Sequence, residues 1–212
     1  MQKRHIDNCP ICSTQEEAVT EQILSVIQKK SYAKNAVIFE PEENTHGLFL
    51  VIKGSVKISK ISANGKEIVL GLLGPGKTFG ESSLLGQDRQ EDSATASEAT
   101  DLLYIPKGSF QTIIQQNPQL YQSVVASLVR WMSNLNQIIE NINTPSARDR
   151  VWSYLCRLKN DQPHPLIQLD GKKHEVALML GLRPETFSRI LSDLEAEGKI
   201  KMNHRQIQFL ES

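Results

Sequence analysis

A surplus of either charge is missing from this 212-residue chain, in which 24 Lys and Arg balance 24 Asp and Glu. Bulk charge therefore announces no polyanionic partner. Cysteine is scarce: Cys9, Cys12 and Cys156 are too few for the disulfide framework of a small secreted domain. No apolar run approaches the roughly 18 residues that a membrane span requires. The opening MQKRHIDNCPIC lacks the apolar core of a signal peptide, so a cytoplasmic protein without membrane contact is expected. Catalytic signatures are absent as well. The chain shows no nucleophile–base constellation, no glycine-rich phosphate loop leading into a helix and no closed set of metal ligands. An enzyme is not expected.

What is present is strongly patterned. Eight of the twelve glycines fall between Gly47 and Gly86, around the alternating runs LFLVIKGSVKIS (48–59) and KEIVLGLL (66–73). Alternation at period two, broken by turn residues every eight to twelve positions, indicates short antiparallel strands. Asn64-Gly65 predicts a type I′ hairpin turn, with positive φ at both residues. Residues 36–106 thus read as a small β-roll, preceded by an amphipathic helix over 14–30.

From Asn117-Pro118, a good helix start, the period changes. Tyr121, Val124, Leu128, Trp131, Leu135, Ile138 and Ile142 recur at alternating spacings of 3 and 4, the a/d seam of a coiled coil. This seam is expected to face a second copy of the chain, the alternative being a core helix packed within its own chain. A second stripe of Val125, Val129, Met132 and Ile139 is assigned to the β-roll. Pro145 marks the end of the helix, after which SARDRVWSYLCRL, KKHEVALMLGL and PETFSRILSDLEAEG read as helices. The last two meet at a turn around Gly181, and KIKMNHRQIQFL closes as a hairpin with a basic tip. That order is a winged helix-turn-helix.

In LGLRPETFSRIL (180–191), Phe187, Ile190 and Leu191 turn inward and leave Glu185, Ser188 and Arg189 on one outer face. The early turns of a recognition helix enter the major groove. There Arg can donate to guanine, Glu can accept from cytosine and Ser can bond either way. Glu185 and Arg189 also satisfy the spacing of an i,i+4 ion pair, worth about 0.2–0.5 kcal/mol.

Together LFLVIKGSVKI (48–58), GPGKTFGESSLL (74–85) and LGLRPETFSRILSDLEAEGKI (180–200) make the chain resemble the CRP/FNR transcription regulators. The resemblance implies an α+β chain in three parts. These are a cyclic-nucleotide-binding-like β-roll sensor over 1–117, a dimerisation helix over 118–144 and a winged helix-turn-helix over 145–212. It implies a homodimer that binds double-stranded DNA and works on RNA polymerase. The form ETFSR resembles the FNR branch and its DNR-like relatives, which implies an inverted repeat of TTGAT- or TTGAC-like half-sites. Glu185, Ser188 and Arg189 would be the base readers; Lys173, His174, Thr186 and Arg205 fall where relatives touch the DNA backbone. A rival reading is a β-roll regulatory module whose winged helix serves protein contact instead.

The same resemblance places the effector pocket at Phe79, Gly80 and Glu81. Where cyclic-AMP-binding members carry a phosphate-neutralising Arg, this chain has Glu91 and Asp92, with Arg89 out of register. Leu135 and Asn136 replace the adenine-binding Thr and Ser, and Glu42 replaces a turn glycine. Cyclic AMP is therefore not the expected effector. Haem, with His5 or His46 as ligand, is the leading candidate, for sensing nitric oxide or another diatomic gas. An iron–sulfur cluster ranks below it, because it needs four ligands and Cys9 and Cys12 supply two, His5 being an unusual third and Cys156 belonging to the other domain. Cys9 and Cys12 alone make either a metal or redox site, or an inert terminus.

Overall fold

The computed structural model describes residues 9–13, 15–44, 47–85, 89, 91–143, 146–162 and 164–210. His5, His46, Pro145 and the Ile142 side chain, all singled out above, lie outside the described residues. Helix α1 (Glu17–Val26) leads into strands β1 (Gln28–Tyr32), β2 (Val37–Phe39), β3 (Gly47–Lys53), β4 (Val56–Ile61), β5 (Glu67–Leu73) and β6 (Thr78–Phe79). A 3₁₀ turn at Glu81–Leu85, β7 (Ser93–Ala96) and β8 (Thr100–Pro106) follow. These strands form two antiparallel four-stranded sheets, in the orders β1-β8-β3-β6 and β2-β7-β4-β5.

The run LFLV in β3 is continuously apolar because both faces of that sheet are covered. Phe49 and Val51 point between the sheets with Phe39, Val56, Ile58, Phe79 and Leu102. Leu48 and Leu50 point the other way, into a cluster with Leu103, Ile105 and the helices that cover the sheet. Those helices are α1, α2 (Lys107–Gln116) and the first half of α3 (Gln119–Asn143).

The roll begins earlier than residue 36 and ends, as expected, at Pro106. The predicted first helix stops at Val26, Ile27 being extended, and Gln28–Tyr32 pairs with β8 from Gln28↔Tyr104 to Tyr32↔Thr100. The ladder with β8 overrides the local helical pattern. Lysines mark β1 as an edge strand, Lys30 lying 4.0 Å over the Tyr104 ring. The turn between β4 and β5 also differs from expectation. Ser62 N–H donates to Lys66 O at 2.8 Å and Gly65 N–H to Ser62 O at 2.9 Å; Gly65 has φ +76°, while Asn64 is not among the positive-φ residues. This is a three-residue loop, Ala63 to Gly65, with the glycine in the left-handed bulge position. A type I′ turn would have spared only two residues between paired strands.

Helix α3, 25 residues and so about 38 Å long, lies along the roll, and the stripe expected to face a partner packs on the roll instead, while the stripe assigned to the roll is exposed. Val124 is fully buried, Leu128 packs on the helix-covered cluster and Trp131 packs on the inter-sheet cluster. A Cβ on Gly71 would come within 2.9 Å of the Trp131 ring, so β5 and α3 touch directly. Leu135 and Ile138 are half-buried. Among the described side chains of that stripe Tyr121 alone is markedly exposed, whereas Val125, Val129, Met132 and Ile139 are all more than half exposed.

The C-terminal unit comprises α4 (Ala147–Asp161), β9 (Leu166–Gln168), α5 (Lys173–Met179), α6 (Pro184–Ala196), β10 (Ile200–Asn203) and β11 (Gln206–Phe209). Its sheet runs β10-β11-β9, and Ser146 caps α4 by accepting from Asp149 N–H. Val69 and Leu72 of β5 share one apolar cluster with Val151, Leu155, Val176 and Phe187. The roll and the helix-turn-helix are thus docked through a common core.

Candidate nucleic-acid interface and sensor site

Helix α5 ends where Gly181 takes φ +64°, and Leu182 N–H donates back to Ala177 O at 2.8 Å. This closure releases the chain for a fresh start at Pro184, the first residue of α6. Phe187, Ile190, Leu191 and Leu194 anchor α6 in the core. Glu185, Ser188 and Arg189 are exposed together on its outer face, and Thr186 is half-buried beside them. Neither Glu185 nor Arg189 enters an ion pair among the described residues, so the i,i+4 bridge allowed by their spacing is not made. An acceptor, a hydroxyl and a guanidinium are left projecting from the first two turns.

The expected backbone-contacting residues are placed less uniformly. Lys173 opens α5 and is half-buried. His174 instead lines a cleft of about 280 Å³ between the two units, facing Lys34, Lys57 and Ser97 of the roll. Arg205 sits in the β10–β11 turn beside His204, whose φ is +54°. Its guanidinium is bonded to Glu98 of the β7–β8 turn, 3.2 Å away. Two of the four groups are therefore turned toward the sensor unit, because docking through Leu72 brings the wing and α5 against it.

A second bridge was invisible in the sequence. Asn134 of α3 donates to Leu70 O at 3.1 Å and accepts from Arg157 Nη1 of α4 at 2.7 Å. One side chain thereby ties roll, long helix and C-terminal unit together. Its partners lie 64 and 23 residues away, beyond any local pattern.

At the expected effector cassette, Gly80 has φ +88°, and a Cβ there would lie 2.3 Å from Gly47 O; only glycine fits. Glu81 is engaged by the long helix. Its carboxylate accepts from Ser127 Oγ of α3 at 3.0 Å, and Ser127 also meets Thr78 Oγ1 at 3.3 Å. Arg89 pairs with Glu42 at 2.9 Å, and Lys60 pairs with Glu91 at 3.4 Å. Burial pushes the Asp92 carboxyl above its usual range. Glu42 keeps the left-handed conformation that glycine favours, at φ +66°. Between the sheets, Phe49 and Phe79 stack at 4.9 Å and 10°, with Phe39 about 6 Å from each. All three rings belong to the apolar cluster between the sheets.

The cysteines near the start of the described chain are packed into the fold. Residues 9–13 form a tight turn, with Cys9 1% and Cys12 2% exposed and their sulfurs 3.2 Å apart. Among the described residues no group of three or more His, Cys, Asp or Glu gathers as a metal site, and no helix is long and apolar enough to cross a membrane.

Comparison with known proteins agrees with this geometry. Residues 29–117 match the cyclic nucleotide-binding domain family, and residues 149–211 match the Crp-like helix-turn-helix domain family. The cyclic AMP receptor protein of Thermus thermophilus is 31% identical over 189 residues, covering 89% of this chain and 87% of that protein. The cAMP-activated global transcriptional regulator CRP of Haemophilus influenzae is 27% identical, covering 92% and 89%. The solved structure of FixK2 from Bradyrhizobium japonicum superposes with a TM-score of 0.77 at 22% identity, over 87% of this chain and 92% of that one. With a nucleotide-binding-type roll, a long helix and a Crp-like helix-turn-helix in that order, the chain belongs to the CRP/FNR family, whose members are DNA-binding transcription regulators rather than enzymes.

Proposed function

We propose that this regulator works as an effector-controlled homodimer on an inverted repeat of TTGA(T/C)-like half-sites. The observation that carries the reading is the exposed trio of Glu185, Ser188 and Arg189 on the first turns of α6. That trio is held rigid by the buried Phe187, Ile190, Leu191 and Leu194. Rigid side chains at the start of a recognition helix can meet base edges in the major groove. Lys173 and Thr186 flank them for backbone contact; His174 and Arg205 would join only when the two units part.

Pairing is supported by the exposed stripe of α3. Val125, Val129, Met132 and Ile139, with the exposed Asn136 in register, present an apolar seam at heptad spacing. Two such helices would set the recognition helices about one DNA turn, roughly 34 Å, apart. The bound dimer would then recruit or block RNA polymerase. The ETFSR sequence favours a response to oxygen, nitric oxide or redox state. Acidic residues at 91 and 92 weigh against cyclic AMP, and the packed phenylalanines weigh against haem within the roll.

Arg189→Ala tests the reading. Each bidentate Arg–guanine contact is worth about 1–3 kcal/mol of discrimination, and a dimer loses two. Binding of the variant to a labelled TTGAT palindrome should fall to the level of a scrambled duplex at equal salt. Retained preference for the palindrome would remove Arg189 from the reader set.

A further inference from the structure

We propose that Cys9 and Cys12 form a reversible dithiol–disulfide couple, oxidised by a hydroperoxide, whose state is relayed to the dimer helix α3. The proposal deepens the redox reading above and rests on it. It stands first on geometry. Cys12 N–H and Ser13 N–H both donate to Cys9 O, at 3.1 and 2.9 Å, and this turn brings the two sulfurs to 3.2 Å. The turn precedes the segment that matches the nucleotide-binding family, which starts at residue 29.

The surroundings separate the pair from ordinary packed cysteines. Cys9, Ile11 and Cys12 belong to the same apolar cluster as Leu120 and Val124 of α3. Gln15 Nε2 bonds both Ile11 O at 3.2 Å and Ser123 Oγ at 2.9 Å, fastening the turn to that helix. Yet the turn is thin, since Pro10 is half-buried and Ser13 exposed, so a local opening reaches the sulfurs. The Cys12 thiol and the amides of Ile11 and Cys12 stabilise a Cys9 thiolate and hold its pKa down against burial. The Cys12 thiol is pushed well above the ordinary range, first by its bond to Cys9 and then by burial. One sulfur is thus poised as nucleophile and its neighbour as the resolving thiol.

The steps balance. The Cys9 thiolate attacks the hydroperoxide, an S–O bond forms, the O–O bond breaks and the alkoxide leaves to take up a proton. The Cys12 sulfur then attacks the sulfenic sulfur; the S–S bond forms, the S–O bond breaks and water leaves. Two thiols are oxidised by two electrons, and the hydroperoxide is reduced to alcohol and water. A disulfide needs its sulfurs about 2.05 Å apart, so closure tightens the turn beneath α3. The opposite face of α3 carries Val125 and Val129, and closure there is expected to weaken pairing.

The test uses the full chain, reduced and then treated with hydrogen peroxide. Mass analysis should show a loss of about 2 Da in the peptide holding both residues, while Cys156 stays open to alkylation and dithiothreitol reverses the change. Oxidation should weaken binding to the TTGAT palindrome about fivefold or more, and shift sedimentation toward monomer. Cys9→Ser and Cys12→Ser should abolish both effects, Cys156→Ser neither; the alanine variants, checked by melting, replace any serine variant that fails to fold. Free Cys9 and Cys12 after treatment would overturn the couple. A disulfide that alters neither DNA affinity nor sedimentation would overturn the relay. If neither redox state prefers the palindrome, the operator reading fails, while mass and sedimentation still judge the couple.

Discussion

Removing the negative charge of Glu98 should strengthen DNA binding, although Glu98 lies in the sensor roll and far from α6 in sequence. Its carboxylate is 3.2 Å from the Arg205 guanidinium, with side chains 31% and 30% exposed. Arg205 must leave this partner before it can reach a phosphate. At such exposure an ion pair contributes about 0.2–1 kcal/mol. A dimer breaks two, so Glu98→Gln should tighten binding by about 0.4–2 kcal/mol, or roughly 2- to 30-fold. Because both proteins make the same phosphate contacts once bound, the slope of log K against log salt should change by less than about 1. Fluorescence anisotropy on the palindrome, titrated between about 50 and 200 mM salt, reads both quantities. Glu98→Gln should have no effect in an Arg205→Gln background, which closes a double-mutant cycle. Unchanged affinity, or a gain that survives without Arg205, would refute the latch.

The remaining predictions concern assembly and packing. Val129→Asp places a charge in the exposed α3 stripe and should convert the dimer to a folded monomer in sedimentation, with the melting temperature of the roll little changed. Val124→Asp, aimed at a fully buried position, should instead unfold the roll; the opposite pattern would restore the first stripe as the seam. Phe187→Ala empties a fully buried site and should cost about 3–5 kcal/mol, read by denaturant unfolding. A loss below about 1 kcal/mol would mean that α6 is not anchored as described.

Local periodicity made much of this chain legible. The winged helix-turn-helix follows from apolar spacing that leaves one face of α6 polar, from Pro184 at its first position and from Gly181 at the turn before it. All three features reappear in the structure. Strand β1 was not legible, because QKKSY has no apolar alternation and becomes a strand only through the edge of β8. Helix α2 was passed over between two prolines, though Phe110, Ile113 and Ile114 carry its buried face. The turn at Asn64-Gly65 shows a finer limit: the dipeptide located the hairpin but not its length, since Gly65 alone takes positive φ. Glu98–Arg205, separated by 107 residues, depends on how two units dock, and no spacing rule contains that information.

The exchange of the α3 stripes has a different origin, and it bears on how the helix works. Residues 121, 124, 128, 131, 135 and 138 alternate by 3 and 4, and so do 125, 129, 132, 136 and 139. Both satisfy the 3.5-residue repeat of a coiled coil, so periodicity alone could not say which faces a partner and which faces the roll. Side-chain size and polarity separate them. The buried stripe carries Trp131, which fills the space against Gly71. The exposed stripe carries Asn136, a polar residue of the kind that fixes register in a seam but would be left unsatisfied inside an apolar core. Helix α3 thus packs on the roll with one face and, in the proposed dimer, would meet its partner with the other. The same helix receives Ser127–Glu81 from the effector cassette, Ser123–Gln15 from the cysteine turn and Asn134–Arg157 from the DNA-binding unit. A displacement imposed at the first two contacts must therefore alter either the seam or the third contact, because all of them share one rigid rod.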